Sequence, residues 1–215
     1  MVLPEVRIGS FMQRTFSTLS SSSHISPFPF TAKFLNGDTY YGEYHHGKRH
    51  GHGVYTHING AVYDGEYIDG LKDGQGRMSY PDGAVYQGQF KAGKREGQGK
   101  YTYSNGEEYE GGWRHDLKHG AGVYRYISGS VFTGVWSNGN VLHGKLAHPD
   151  GSSFTGTFQA TTPSGAGLFT FASGLSEFGK FEGGKWVKDG FRRPGPSAKP
   201  PSKTAAPQLH QAVRT

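Results

Sequence analysis

The chain has 215 residues, of which 35 are glycine and none is cysteine, so disulfides, thiolate nucleophiles and Cys-based zinc sites are excluded. Only 33% of it is hydrophobic, yet 14% is aromatic; disordered chains are poor in rings, so a folded domain with rings in place of Leu, Ile and Val is predicted. The net charge of +6 sits in the ends, because residues 30–190 carry 16 basic and 16 acidic side chains, and a body of zero net charge argues against nucleic acid as a partner.

Residues 1–29 come first, with Ser20 to Ser23 in a row, two arginines and one glutamate. They lack the apolar core of a secretory signal and are predicted to be a flexible tail. No run of 18 apolar residues follows anywhere, so no membrane-spanning helix is predicted.

From residue 30 the chain repeats itself. Tyr40-x-Gly42-x-Tyr44 recurs as Tyr63-x-Gly65-x-Tyr67, Tyr86-x-Gly88-x-Phe90 and Tyr109-x-Gly111-x-Trp113. It continues as Phe132-x-Gly134-x-Trp136 and Phe154-x-Gly156-x-Phe158, and ends in the degraded copy Glu177-Phe178-Gly179-Lys180-Phe181. The period is 23 residues, with one step of 22 between Phe132 and Phe154. Each ring motif is followed by a predicted loop ending in Gly-x-Gly, as at Gly51/Gly53 and Gly74/Gly76. An alternating stretch then runs to a turn pair: Asn36-Gly37, Asn59-Gly60, Asp82-Gly83, Asn105-Gly106, Ser128-Gly129, Asp150-Gly151 and Ser173-Gly174. Such pairs between alternating stretches signal type I′ hairpins. Seven β-hairpins are therefore predicted, stacked as an elongated, open, all-β solenoid, because a lone hairpin is unstable and stacking buries a continuous stripe.

Alternation puts Tyr40, Gly42 and Tyr44 on one face, with Tyr55 and His57, Met78 and Tyr80, Tyr101 and Tyr103, and Tyr124 and Tyr126 from the return strands. A single layer has no second layer to cover this face, so part of the stripe is expected to form a groove for a partner. The candidate contact rings are Tyr40, Tyr44, Tyr63, Tyr67, Tyr86, Phe90, Tyr103, Tyr109, Trp113, Tyr126, Phe132, Trp136, Phe154 and Phe158. Trp113 and Trp136 are the expected hot spots. The predicted loops supply a row of cations, Arg49, Lys72, Arg95 and Lys118, which reads as a solvated edge or a contact for anionic headgroups.

No catalytic constellation stands out. Four Gly-to-Lys spacings approach a phosphate loop, but Arg49, Arg95, Leu146 and Phe181 follow where Ser or Thr is needed. The histidines at 45, 46, 50, 52 and 57 lack a carboxylate or Cys to complete a metal site. Glu107, Glu108 and Glu110 read as solvated charge. Neither a metal nor a cofactor is expected. Residues 191–215 carry five prolines, five basic side chains and no acid, and are predicted to be a basic Pro-rich tail.

The pattern of Tyr-x-Gly-x-aromatic, Gly-x-Gly and Asn/Asp-Gly over residues 30–190 resembles the MORN repeat (membrane occupation and recognition nexus). Within that family, the opening at Asn36–Gly53, the shortened repeat at Asn138-Gly139, the Pro163–Gly167 loop and the closing copy at Phe178–Phe181 are similar to the radial spoke head members of motile cilia. Those members commonly continue into an acidic region, where this chain has a basic tail. The resemblance implies a non-enzymatic scaffold in the cytoplasm and cytoskeleton, on the axoneme of a cilium or flagellum. Its implied partners are other radial spoke head and stalk proteins, with self-association of arrays and a weak anionic-lipid contact as further expectations. The alternative is a membrane-associated adaptor that binds anionic lipids through the cationic loops and the basic tail.

Overall fold

The computed structural model describes residues 29–188, and the expectations for the two tails fall outside that range. These residues form one antiparallel sheet of fifteen strands in sequence order. The outgoing strands are β2 (Thr39–His45), β4 (Val62–Ile68), β6 (Val85–Lys91), β8 (Glu108–Arg114), β10 (Val131–Ser137), β12 (Ser153–Gln159) and β14 (Ser176–Glu182). The return strands are β3 (Lys48–Thr56), β5 (Leu71–Ser79), β7 (Lys94–Thr102), β9 (Leu117–Arg125), β11 (Asn140–Ala147) and β13 (Thr162–Thr170). Four-residue strands close both ends, β1 (Phe30–Lys33) and β15 (Lys185–Lys188). At the usual strand spacing the array is roughly 65–70 Å long. Among the described residues there is no helix long and apolar enough to cross a membrane.

Two kinds of turn alternate along the ribbon, and the Asn-Gly pairs are not the type I′ set. The tight turns join outgoing to return strands, with positive φ at both central residues: His46 and Gly47, Asp69 and Gly70, Ala92 and Gly93, His115 and Asp116, Asn138 and Gly139. At Asp82-Gly83 only the glycine has positive φ. There Gly83 N–H donates to Tyr80 O at 3.0 Å and Tyr80 N–H to Ala84 O at 2.9 Å, which is a type I turn closed by a glycine bulge. The residue before the glycine serves through its side chain. Asn59 Oδ1 accepts from Ala61 N–H and Asp82 Oδ1 from Ala84 N–H, both at 3.0 Å. This explains why Asn, Asp and Ser share the position.

The tight turns also correct the predicted loops. Only two residues separate β2 from β3, so Gly51-x-Gly53 and its equivalents lie inside return strands. The extra residues are absorbed by a bulge in the β2–β3 register between Gly42 and Tyr44, repeated at each complete hairpin.

One glycine from each of β2 to β14 lines up across the sheet. Gly42 pairs with Gly53, Gly53 with Gly65, Gly65 with Gly76, and the row runs through Gly88, Gly99, Gly111, Gly122, Gly134, Gly144, Gly156 and Gly167 to Gly179. The core lies over this row. The array ends are capped by rings: Phe34 stacks on Tyr55 with centroids 5.6 Å apart, and Trp186 packs on Phe154, Phe169 and Phe181.

Candidate functional site: an aromatic face crossed by cations

The face is built in three layers of side chains. Tyr40, Tyr63, Tyr86, Tyr109, Phe132 and Phe154 lie against the glycine row and are all but inaccessible. Each tyrosine hydroxyl in this column donates to the carbonyl three residues on: Tyr40 to Glu43, Tyr63 to Glu66, Tyr86 to Gln89 and Tyr109 to Gly112, at 2.9–3.0 Å. Burial pushes the Tyr40 hydroxyl up to about 12 and raises Tyr63, Tyr86 and Tyr109 as well.

The second column stands edge-on between successive rings of the first. Tyr67 meets Tyr40 at 5.4 Å and Tyr63 at 5.2 Å. Phe90 meets Tyr63 at 5.0 Å and Tyr86 at 5.1 Å, and Trp113 meets Tyr86 at 5.2 Å and Tyr109 at 5.3 Å. Trp136 and Phe158 continue the series onto Tyr109, Phe132 and Phe154. The result is one row of edge-to-face contacts, the favoured geometry for aromatic pairs.

This row buries most of the expected contact set. Tyr40, Tyr63, Tyr67, Tyr86, Phe90, Tyr109, Trp113, Phe132, Trp136, Phe154 and Phe158 are buried within the sheet's own surface layer. The glycines let the first column sink, and the second column fills the spaces between. Trp113 and Trp136, at 5% and 3% exposure, hold the array together and offer a partner almost nothing. Of the expected contacts, Tyr44, Tyr103 and Tyr126 stay half-buried.

The accessible rings are those of the third column. Tyr55, Tyr80, Tyr101, Tyr103, Tyr124 and Tyr126 are half-buried, and those from Tyr80 to Tyr126 form a chain of tilted neighbours. Tyr80 and Tyr101 lie 5.9 Å apart, Tyr101 and Tyr103 4.6 Å, Tyr103 and Tyr124 5.7 Å, and Tyr124 and Tyr126 4.7 Å. Alternation identified this column in the sequence, but the contact set drew only Tyr103 and Tyr126 from it.

The cationic row is not on loops. Arg49, Lys72, Arg95 and Lys118 lie in return strands directly across from Tyr44, Tyr67, Phe90 and Trp113. Their side chains therefore fold over the ring face. Arg49 lies 4.9 Å from the Tyr55 centroid, Lys72 4.7 Å from Tyr63, Arg95 4.4 Å from Trp113 and Lys118 4.5 Å from Tyr124. All four are within cation–π range.

Their partners differ. Arg95 Nε meets Asp116 Oδ1 at 3.1 Å and its Nη2 donates to Asp116 O at 2.9 Å. Arg49 Nη2 donates to Gly70 O at 2.8 Å. Lys72 Nζ has, among the described residues, only Met78 Sδ as a hydrogen-bond acceptor, at 3.6 Å. Neither Lys72 nor Lys118 has a carboxylate within 4 Å among the described residues. Burial lowers Lys72, with Arg49 adding to the effect. Burial likewise brings Lys118 down to about 8; Glu107 opposes the shift and Arg95 adds to it.

Tyrosine hydroxyls hold two carboxylates on the ring side. Asp38 accepts from Tyr55 Oη–H at 2.7 Å and Ile58 N–H at 2.8 Å, which hold it below the usual range. Glu107 accepts from Tyr124 Oη–H at 2.7 Å and is lowered by that bond first. Glu107 is thus a structural acceptor, unlike the solvated Glu110; Glu108 pairs with Lys100 at 2.7 Å. The histidines at 45, 46 and 50 cluster with ring centroids 4.1–5.2 Å apart, but the described residues hold no group of three or more metal-type donors.

Residues 40–62, 63–85, 86–108 and 109–131 each match the MORN repeat. Residues 40–131 are thus four tandem units that match the MORN repeat. The four matched MORN units are also those that carry a cation over the rings. In the following units Val141, Pro163 and Trp186 hold that position. No curated protein sequence matches the chain. Among solved structures, the array is similar to the TCP domain of SAS-4 from Drosophila melanogaster at 11% identity and a TM-score of 0.46, covering 79% of this chain and 97% of that one. It is also similar to the TCP10 domain of Danio rerio CPAP at 15% identity and a TM-score of 0.27, covering 74% and 88%.

Proposed function

We propose that this MORN array is a non-enzymatic scaffold that docks protein partners on its aromatic face, and that it belongs to the radial spoke head of the ciliary or flagellar axoneme. The observation that carries the docking part is the third ring column, left half-buried beside four half-buried cations while the first-column rings from Tyr40 to Phe154 are enclosed. Rings and cations of this kind dominate binding energy at interfaces. The axonemal part is supported by the order of irregularities in the chain: a shortened repeat, then the Pro163–Gly167 segment, then a closing copy. The cations fold over rings of the face, which favours a protein over a lipid leaflet.

The test uses a tagged full chain in motile ciliated cells, beside a variant with Tyr103→Ser and Tyr124→Ser. The native chain is expected along the axoneme, co-purifying with spoke head and stalk proteins, and the variant is expected to lose them. A plasma-membrane or diffuse signal would refute the axonemal reading. Equal recovery of partners by the variant would refute docking on this face.

A further inference from the structure

Lys72 and Lys118 present an imbalance. Each is a half-buried ammonium laid on rings with no carboxylate of the described residues within 4 Å, although Glu107 acts on Lys118 from farther off. Desolvating an ammonium without a counter-ion is costly. Arg49 adds a guanidinium whose hydrogen bond to protein goes to a carbonyl, whereas Arg95 has its own acid in Asp116. Three of the four cations, Arg49, Lys72 and Lys118, thus have no ion pair of their own among the described residues, while the row itself is spaced by the repeat. Two strands per hairpin place successive cations roughly 9.4–9.8 Å apart along the array.

That interval selects among extended chains. A β-strand turns alternate side chains to opposite faces, so every third residue changes sides. A polyproline II helix has three residues per turn and rises about 3.1 Å per residue, so it returns the same face roughly every 9.3 Å. Rings such as those of the third column are also what polyproline II ligands dock against. We infer that the face of the first four repeats binds an acidic polyproline II segment of another protein, with a carboxylate at every third residue set against the Arg49–Lys72–Arg95–Lys118 row and the prolines against Tyr55, Tyr80, Tyr101 and Tyr124.

The inference rests on the docking reading and narrows it to one partner chemistry. The chain's own residues 191–215 are Pro-rich, but five basic side chains and no acid make them the wrong sign for this row. The repeats from Val141 onward lack the cations, so the recognised segment spans about four turns, or roughly twelve residues.

The experiment measures fluorescence anisotropy of labelled twelve-residue peptides against the full chain. The peptides are (Glu-Pro-Pro)4, (Gln-Pro-Pro)4, (Lys-Pro-Pro)4 and an isomer of the first with its glutamates unevenly spaced. Anionic vesicles form a separate arm. The periodic glutamate peptide is expected to bind, with the glutamine version at least about tenfold weaker, the size of a lost charged hydrogen bond. The lysine peptide is expected not to bind, and the uneven isomer to bind several-fold more weakly. Lys72→Gln with Lys118→Gln is expected to abolish the preference for glutamate. Lys145→Gln, on the opposite face, is expected to leave it intact. Should the double variant unfold, the peptide series on the unaltered chain decides.

Equal affinity for the glutamate and glutamine peptides would overturn the acidic partner while leaving a docking face in place. Equal affinity for the even and uneven peptides would overturn the spacing. Binding of vesicles alone, or concentration-dependent self-association that excludes every peptide, would overturn the inference in favour of a leaflet or a second copy. Loss of native partners in the Tyr103 and Tyr124 variant is a separate readout that bears on docking itself.

Discussion

The Tyr63 ring lies against Gly76 of the neighbouring strand so closely that a Cβ added at Gly76 would stand 2.6 Å from both Cε2 and Cζ of the ring. The ring cannot retreat, because Tyr67, Phe90 and Lys72 cover it at 5.2, 5.0 and 4.7 Å. Gly76→Ala is expected to cost about 2–3 kcal/mol through overpacking. Gly60→Ala has open space around its Cβ but a φ of +88°, and is expected to cost about 1 kcal/mol. Urea midpoints of the two variants give the order, and an equal effect would mean that close approach is not what the glycine row provides.

Trp113 is enclosed by Tyr86 and Tyr109 and donates its Nε1–H to Gly99 O at 3.0 Å. Trp113→Ala is expected to lower stability by about 3–5 kcal/mol, as for a large core ring. Tyr103→Ser, at the half-exposed column, is expected to cost only about 1 kcal/mol. Thermal unfolding separates the two, and acrylamide is expected to quench Trp113 poorly in the folded chain.

Asp116 occupies the second position of a tight turn with φ 68°, where four of its counterparts are Gly47, Gly70, Gly93 and Gly139. Its carboxylate also accepts from Arg95 N–H at 2.9 Å. Asp116→Gly removes strain and an ion pair together, so little net change is expected. Asp116→Ala keeps the left-handed backbone and loses the pair. Alanine is therefore expected to be less stable than glycine by about 1 kcal/mol. A reversed order in chemical denaturation would show the turn to be unstrained.

Stability is expected to depend on alkaline pH in two opposing ways. Lys118, facing Tyr103, Tyr109, Tyr124, Glu107 and Arg95, titrates near about 8 against an ordinary 10.5. From about pH 8 to 10.5 the unfolded chain holds more protons, so this group makes stability rise with pH. Tyr40, Tyr55 and Tyr103 are raised to about 12 from 10.0. The unfolded chain loses those protons first, so stability falls from about pH 10 to 12. Midpoint temperatures from pH 7 to 11 are expected to rise and then fall, and Lys118→Met is expected to flatten the rise. A steady decline from pH 7 in the unaltered chain would show that Lys118 is not desolvated in the folded state.

The turns and the cations show where the sequence was readable and where it was not. Asn59-Gly60 and Asp82-Gly83 are correctly turns, but the motif does not distinguish a type I′ pair from an Asx-supported type I turn with a glycine bulge. The real type I′ pairs, such as Ala92-Gly93, carry a weaker signal. With the loop drawn long, Arg49 and Lys118 fall in solvent. With the turn reduced to two residues, the same side chains land across from Tyr44 and Trp113. A one-residue change in where a strand begins exchanges faces, because side chains alternate.

The 23-residue period by itself determined that this chain is a single layer of stacked hairpins with rings and glycines on one face, since local alternation and turn chemistry act within each repeat. Which rings are closed off was decided only by the assembled sheet. Tyr40 is hidden because Gly53 lies in the next strand and Tyr67 in the next repeat, and Tyr124 stays within reach because no glycine row runs beneath it. Covering a surface takes neighbours from several repeats at once, and their distances exist only after the array has closed around its own side chains.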